Sequence, residues 1–217
     1  LKKKGQKFEY GLKAIDRSIN SEFSIKGKYA GQDDYSILPN RSGALSYNQF
    51  VGAAYGQLST PLAEKLNMVA GARYEGTYIN GDNKANGGAF KLPMFHNFLP
   101  NLIFMYDLGN FNKLKLSYNK RITRPSIDFI NPYIDYSDPM NLKQGNPHLD
   151  PERTHNMELG YSTFVGRSSI NINLFHTITN NAIDQTTHVD SNGISRTTFG
   201  NISKANITGA DVFGGVT

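Results

Sequence analysis

The residues best suited to chemistry lie between Arg121 and Asp138, where charged and aromatic side chains alternate. They comprise the guanidinium groups of Arg121 and Arg124, the carboxylates of Asp128, Asp135 and Asp138, and the rings of Tyr133 and Tyr136. Two guanidinium groups three residues apart could hold a carboxylate or a phosphate in a forked geometry. Aromatic faces beside charges suit a polar ligand. We predict a ligand-binding site here, and the competing interpretation is that these residues only stiffen a loop.

The sequence gives weaker support for a catalytic site than for a ligand-binding site. His155 lies close to Asp150 and Glu152, which could form a general-base arrangement, although a polar loop histidine is the favoured interpretation. The five histidines form no metal-binding motif, and the sequence has no nucleophile elbow, phosphate-binding loop or dinucleotide-binding motif. The sequence therefore predicts a protein that is not an enzyme, with no metal site and no cofactor.

The candidate site belongs to a proline-rich stretch, from Arg121 to Tyr161, that begins and ends on strand-like sequence. Four X-Pro pairs divide it: Asn131-Pro132, Asp138-Pro139, Asn146-Pro147 and Asp150-Pro151. The residue before proline is disfavoured in the helical region, so each pair favours a turn. The stretch is predicted to be a long loop between two strands, with no room for a helix.

The segments around this loop alternate apolar and polar residues with a period of two, which is typical of strands that are wet on one face. In the segment 113–122, Leu114, Leu116 and Tyr118 lie opposite Lys115 and Ser117. Similar patterns predict about eight main strands in all. The other seven lie near 7–15, 45–58, 66–78, 95–107, 154–163, 169–178 and 202–213.

The connections between these strands alternate short and long. Short turns are predicted near 60–65, 109–112 and 165–167, and long loops near 17–44, 80–93, 123–152 and 179–200. Outer-membrane barrels have short periplasmic turns and long external loops, whereas a soluble sandwich has no reason to sort loops by length. We therefore predict one all-β antiparallel meander over residues 1–217. Within the last long loop, 190–193 is predicted to be a hairpin tip with a type I′ turn.

The two faces of such a sheet would meet different solvents. The polar face, predicted to line the lumen, carries Glu9, Lys13, Arg73, Glu75, Lys115, Arg121 and Glu158, whose charges can pair across strands. The other face carries Tyr10, Tyr74, Tyr106, Tyr118 and Tyr161, which suit an aromatic girdle or, alternatively, only fill a strand surface.

Composition limits the remaining possibilities. No apolar run approaches the length of a membrane helix, and a mean hydropathy of −0.46 does not exclude the membrane, because barrel strands alternate. The net charge of +5 is scattered, and the only run, Lys2–Lys4, is interpreted as a solvated terminus, so no nucleic-acid partner is predicted. The sequence has no cysteine, hence no disulfide.

A family resemblance appears in the same proline-rich stretch. Its motifs are Arg121-x-x-Arg124-Pro125-Ser126, Tyr136-Ser137-Asp138-Pro139, Gly145-Asn146-Pro147-x-Leu149-x-Pro151-Glu152 and Glu158-Leu159-Gly160-Tyr161, joined elsewhere by Gly71-Ala72-Arg73-Tyr74-Glu75 and Asn201-Ile202-Ser203-Lys204-Ala205. Together they resemble the late barrel strands of TonB-dependent outer-membrane receptors, in the subgroup called outer membrane protein β-barrel. The resemblance covers most of the chain but reaches no plug domain and no motor-binding box.

The resemblance implies a place in the outer membrane of a Gram-negative bacterium and a share in the uptake of a scarce nutrient of unknown identity. The implied partners are outer-membrane lipid, the nutrient, and the TonB motor complex through a plug domain absent from this chain. Such receptors have about 22 strands around a plug, so the chain is expected to be a partial barrel. The absence of an aromatic residue at Val216-Thr217 favours the same expectation.

Two other functions remain open at this level. One is a complete small barrel that acts as a structural anchor or adhesin, since eight strands can close a barrel filled by its own side chains. The other is an outer-membrane hydrolase that uses His155 and neighbouring carboxylates at the rim.

Overall fold

A computed structural model describes residues 5–28, 31, 33–39, 42–84 and 87–216. The lysine run Lys2–Lys4 lies outside the described residues. Nearly all regular structure is strand, which confirms the all-β prediction. The elements are β1 Lys7–Phe23, β2 Lys26–Gly27, β3 Ser36–Ile37, β4 Gly43–Ala63, β5 Leu66–Asn83, β6 Gly88–Lys91, β7 Phe95–Gly109, β8 Asn112–Thr123, α1 Ile127–Ile130, β9 Ile134–Asp135, β10 Asn141–Gln144, β11 Glu152–Val165, β12 Ser168–Val189 and β13 Ser195–Val216.

The eight long strands form one meander, as predicted. Their order in the sheet is β1-β4-β5-β7-β8-β11-β12-β13, and every neighbouring pair is antiparallel. The short strand β10 extends this sheet by pairing in parallel with β13, and β9 pairs with β10. Among the described residues β1 pairs with β4 alone, so the sheet does not close and has the form of a partial barrel wall.

The faces of the sheet separate apolar from polar side chains. Leu12, Leu116 and Leu159 are exposed on one face, which we call the outer face. The opposite, inner face carries Glu75 and Ser117, which are 4% and 6% exposed. Since successive side chains of a strand point to opposite faces, the period-two pattern of the sequence is the physical origin of this division.

The strands run further than the sequence predicts, so the bounds of the loops are corrected. The predicted loop 179–200 is wrong: β12 continues to Val189 and β13 begins at Ser195. These extensions are mostly polar, with Ile183, Val189 and Phe199 as isolated large apolar residues, and hydroxyl pairs such as Thr187 with Thr197 (Oγ1 to Oγ1 3.0 Å) join them. A strand segment with so few apolar residues lacks the apolar alternation by which a sequence reveals a strand.

The same error affects two other predicted loops. In the predicted loop 17–44, β1 continues to Phe23 and β4 begins at Gly43, with the small β2–β3 hairpin between them. In the predicted loop 80–93, β5 continues to Asn83 and pairs with β6. The tip at 190–193 is confirmed as a turn, but the type I′ assignment is wrong, because only Gly193 (φ 78°) has a positive φ there.

The proline-rich loop contains a helix, so the prediction that it has no room for one is wrong. A single turn, Ile127–Ile130, lies between Pro125 and Pro132, and the Asn131 N–H donates to Ile127 O at 2.9 Å. Proline restricts itself and the residue before it, and the four residues Ile127–Ile130 fall under neither restriction, so they can form one turn. Among the described residues, no helix has the length and apolar composition needed to cross a bilayer.

This loop folds onto the inner face at the end of the sheet away from the short turns. Ile130 and Leu149 from the loop and Phe199 from β13 pack with Ile79 and Phe95 in one buried cluster. The backbone adds to this packing, because the Gly145 and Asn146 N–H groups donate to Asn131 O and Phe129 O at 2.9 and 2.6 Å. The cluster fixes the loop over the sheet and thereby positions the residues at its start.

Candidate ligand-binding site

A cleft opens between β7 and β8 where their pairing ends. The ladder runs from Gly109 and Asn112 up to Asn101 and Asn119, and it stops beside Pro100, which has no backbone N–H to donate. Above this point the strands separate around a cavity of about 520 Å³. Its lining comprises Arg73, Glu75, Leu99, Pro100, Asn101, Asn119, Lys120, Arg121, Ile122 and Arg124.

A buried carboxylate organises two of the arginines in the cleft. Glu75 Oε2 accepts hydrogen bonds from Arg73 Nε and Nη2 at 3.0 and 2.7 Å, and the Arg124 guanidinium forms an ion pair with Oε1. Arg124 Nε also donates to Thr77 Oγ1 at 3.0 Å. Burial lowers the pKa of Arg124, and the nearby charge of Arg73 lowers it further. Arg124, which follows the end of β8, thus ties the start of the loop to β5.

Arg121 differs from these two arginines because it is exposed in the cleft. No carboxylate contacts it among the described residues. The wall beside it is neutral: Asn156 Nδ2 donates to Asn119 Oδ1 at 3.1 Å, and Thr177 Oγ1 donates to Asn156 Oδ1 at 3.0 Å. Three guanidinium groups and the Lys120 ammonium line the cleft against one carboxylate, so the cleft favours an anionic group. Among the described residues, Arg121 and Lys120 are the lining cations that form no ion pair.

The structure places Arg121 and Arg124 in the same cleft, where Arg124 is paired with Glu75 and Thr77, and a forked clamp formed by the two stays a prediction. The other five predicted site residues lie elsewhere on the loop, where three of them have structural partners. Asp135 accepts from Ser137 N and Oγ at 2.9 and 2.6 Å, and Asp138 accepts from Asn141 Nδ2 and Met140 N at 2.7 and 2.9 Å. The Tyr133 ring packs edge-on against Phe23, with ring centroids 5.1 Å apart. Asp128 is exposed in the first turn of α1 and Tyr136 is half-buried.

These contacts favour a loop-stiffening role for that part of the set, while any direct role in ligand binding stays a prediction. Hydrogen bonds lower the carboxyl pKa of both aspartates, first from the Ser137 side chain to Asp135 and from the Asn141 side chain to Asp138. Sequence reasoning assigned Arg73 and Glu75 to the lumen but missed them as site residues. No local sequence pattern links Arg73 and Glu75 to Arg121, because only the pairing of β5, β7 and β8 brings these residues together.

The residues of the hydrolase alternative do not form the proposed arrangement. His155 Nδ1 lies 2.9 Å from Tyr118 Oη, on the outer face that also carries Leu159. Glu152 Oε1 accepts from the Ile183 N–H at 2.8 Å, and Asp150 N donates to Asn201 Oδ1 at 2.8 Å. Within the described ranges, no group of three or more histidine, aspartate or glutamate side chains could hold a metal ion.

Comparisons with known proteins agree with this architecture. The family model described as "Outer membrane protein beta-barrel family" matches residues 1–217. Among solved structures, the Serratia marcescens hemophore receptor HasR has a TM-score of 0.64 at 15% identity, with 95% of this chain and 39% of that one covered. The copper transporter OprC has a TM-score of 0.68 at 15% identity, with 98% and 33% covered.

A third similar structure is the iron transporter FrpB from Neisseria meningitidis, with a TM-score of 0.65 at 10% identity; the match covers 99% of this chain and 31% of that one. At these identities the likeness shows the fold of the sheet. The chain spans between about a third and two fifths of the length of the three proteins.

Proposed function

The chain belongs to the outer membrane protein beta-barrel family and lies in the outer membrane of a Gram-negative bacterium, and from this premise we propose that it forms part of the wall of a nutrient transporter. In this proposal the intact protein imports a scarce nutrient, drawn from siderophores, vitamins, oligosaccharides or peptides. A plug domain outside this chain would connect the barrel to the TonB motor. Outer-membrane lipid covers the apolar outer face.

The single observation that carries the proposal is the cleft at the looped end of the inner face. A structural anchor needs no charged recess there, whereas a transporter needs a place where its cargo first binds. The Glu75 carboxylate holds Arg73 and Arg124 fixed, and the pair leaves Arg121 free to act. A preorganised cationic wall with one exposed guanidinium suits a carboxylate or phosphate on the cargo.

We therefore propose that the cargo carries an anionic group and that Arg121, on the lumen side of the wall, binds this group. Replacing this guanidinium by glutamine removes a charge-assisted hydrogen bond of about 1.5–3 kcal/mol, which corresponds to a loss of roughly 10- to 150-fold in affinity. The ion pairs of Glu75 should remain intact in this variant, because Arg121 is not part of them.

The test uses the intact protein in its own outer membrane. Growth of a gene-deletion strain is compared with the parent strain on limiting ferric citrate, haem, cobalamin, oligosaccharide and peptide. The proposal expects growth to fail on one of these, to return with the wild-type gene, and to require a higher concentration with Arg121→Gln. A deletion that weakens the envelope but impairs no uptake would instead support the anchor or adhesin.

The hydrolase alternative has its own readout. Ester or peptide hydrolysis by the purified intact protein, abolished by His155→Ala, would support it. The proposal expects no such activity, because His155 is paired with Tyr118 on the outer face and the Glu152 carboxylate accepts a hydrogen bond from the Ile183 N–H.

A further inference from the structure

A row of neutral polar side chains crosses four strands of the inner face, next to Arg121 on the side of the short turns. Asn119 lies two residues from Arg121 on β8, opposite Asn101 of β7 and Asn156 of β11. Asn156 in turn lies opposite Thr177 of β12. We call Asn101, Asn119, Asn156 and Thr177 the amide row. At about 4.8 Å per strand the row is roughly 14 Å long, and Arg121 lies about 7 Å along the strand from it.

The hydrogen bonds within the amide row leave donors and acceptors for a ligand. Thr177 Oγ1 donates to Asn156 Oδ1 at 3.0 Å, and Asn156 Nδ2 donates to Asn119 Oδ1 at 3.1 Å. The N–H groups of the Asn119 amide and the lone pairs of Thr177 Oγ1 are therefore still available. The Asn101 side chain lines the cleft and forms no hydrogen bond with any other residue that the structure describes.

An aromatic ring lies beside the amide row, on the side away from Arg121. Phe175 precedes Thr177 by two residues on β12 and lies opposite Gly209 of β13. A Cβ at Gly209 would lie 2.4 Å from Cζ and 2.8 Å from Cε1 of this ring. The tip of the ring therefore lies over the neighbouring strand, so the half-buried ring follows the sheet and presents apolar surface to the lumen. Glycine permits this arrangement, because a side chain at 209 would displace the ring.

The cation, the amide row and the ring together complement a sugar that carries an acid group. A hydroxyl group both donates and accepts hydrogen bonds, so it needs the mixture that the amide row offers. A phosphate or an ionised carboxylate only accepts, and it would use the guanidinium while leaving the row unused. A pyranose ring has hydroxyl groups at its edge and C–H groups on its faces, and the C–H groups suit the surface of Phe175.

We propose that the cargo is an acidic oligosaccharide containing uronic acid. Its carboxylate binds Arg121, its hydroxyl groups bind the amide row, and a C–H face of one sugar lies on Phe175. This inference rests on the proposed transport function and narrows its cargo. The row and the ring lie further from the looped end than Arg121, so they hold the part of the cargo that has passed the cleft.

The test is a calorimetric titration of the purified intact protein with trigalacturonate and trimannuronate, each as the free acid and as the methyl ester, and with citrate as an anion without a sugar. At least one free acid should bind. Its methyl ester should bind roughly 10- to 150-fold more weakly, because the charge-assisted hydrogen bond is lost. Arg121→Gln should lower the affinity for the acid to that for the ester and leave the ester unaffected.

Asn101→Leu and Phe175→Leu test the amide row and the ring separately. Each should weaken the binding of the acid and of the ester about 3- to 10-fold and leave citrate binding unchanged. Asn171→Leu and Phe213→Leu are matched controls, because these two residues pair with each other on the inner face nearer the short turns, and both are exposed. Heat-dependent gel migration establishes that each variant is folded. If Phe175→Leu does not fold, Gly209→Ala should displace the ring and have the same effect.

Failure of this inference differs from failure of the transport function. Citrate binding that depends on Arg121, with neither trimer bound, would overturn the acidic oligosaccharide and leave an anionic cargo standing. Trimer binding that the amide-row and ring variants weaken no more than their controls do would also overturn the inference. Binding of neither trimer and of no citrate would overturn the anionic cargo as well. A deletion strain with normal uptake of every nutrient would overturn the transport function itself.

Discussion

The ion pairs of Glu75 make a sharp prediction about the loop, because they join its first residue to the wall of the sheet. Glu75→Gln keeps the shape of the side chain and removes its charge. The Glu75 side chain is 5% exposed, and those of Arg73 and Arg124 are each 26% exposed. Two guanidinium groups would then face each other without the carboxylate that separates them.

The expected cost follows from this burial. Breaking a buried pair by removing one partner costs about 3–5 kcal/mol, and the partial exposure of the arginines favours the lower end, about 3 kcal/mol. Since 1.4 kcal/mol is a factor of ten, the population in which the loop is detached should rise roughly a hundredfold. The Gly145 and Asn146 amides, which are hydrogen-bonded inside the loop, should report this opening.

Hydrogen exchange followed by mass spectrometry on the intact protein measures the effect at peptide resolution. Glu158→Gln is the matched control, because Glu158 pairs with Lys115 at 3.9 Å and both side chains are well exposed, so about 1 kcal/mol or less is expected. Exchange at Gly145 and Asn146 that stays within about fivefold of the wild type in Glu75→Gln would refute the reasoning. An equal effect from the control would refute it as well.

Two further perturbations test the loop itself. The pKa of Asp138 lies below its ordinary value of 3.8, first because of the hydrogen bond from the Asn141 side chain. The stabilisation that the ionised Asp138 side chain gives to the loop is therefore complete above the ordinary pKa, and it is lost as the pH falls towards the lower pKa of the folded state. Exchange at Asn141, corrected for its intrinsic pH dependence, should therefore rise below about pH 4 in the wild type and show no such step in Asp138→Asn. Gly145→Ala should destabilise the loop by about 2 kcal/mol or more in urea titrations, because a Cβ there would lie 2.4 Å from Asn131 O. Gly214→Ala, whose Cβ would meet nothing closer than 3.6 Å, should leave stability nearly unchanged.

The membrane-facing part of the fold could be predicted from the sequence because one physical cause produces it. Within the bilayer a strand must place Leu114 and Leu116 in lipid and Lys115 and Ser117 in water. Apolar and polar residues therefore alternate along the strand with a period of two. Beyond the bilayer the requirement ends. The strands near Thr187 and Thr197 are held by backbone ladders and hydroxyl pairs, and no apolar period marks them.

The candidate site could be predicted only in part for a related reason. Arg121 and Arg124 are three residues apart, so local sequence was enough to join them. Glu75 lies nearly fifty residues away, and its role depends on the pairing register of three strands. The opening of the cleft also depends on where the β7–β8 ladder stops, and Pro100, which a central strand disfavours, was the one local signal of it.

The alternation of lipid and water along each strand is the central claim, and a cysteine scan tests it directly. The chain has no cysteine, so each introduced thiol is unique within it. Cysteines at 114, 116, 159 and 174 on the outer face, and at 115, 156, 171 and 173 on the inner face, are exposed in native outer membranes to a water-soluble maleimide. We expect the inner-face cysteines to react with the maleimide and the outer-face cysteines not to react. In a second experiment, the outer-face cysteines carry a fluorescent maleimide before the protein is reconstituted, and brominated lipid should then quench their fluorescence. Similar reactivity of both sets, without a period of two, would contradict it.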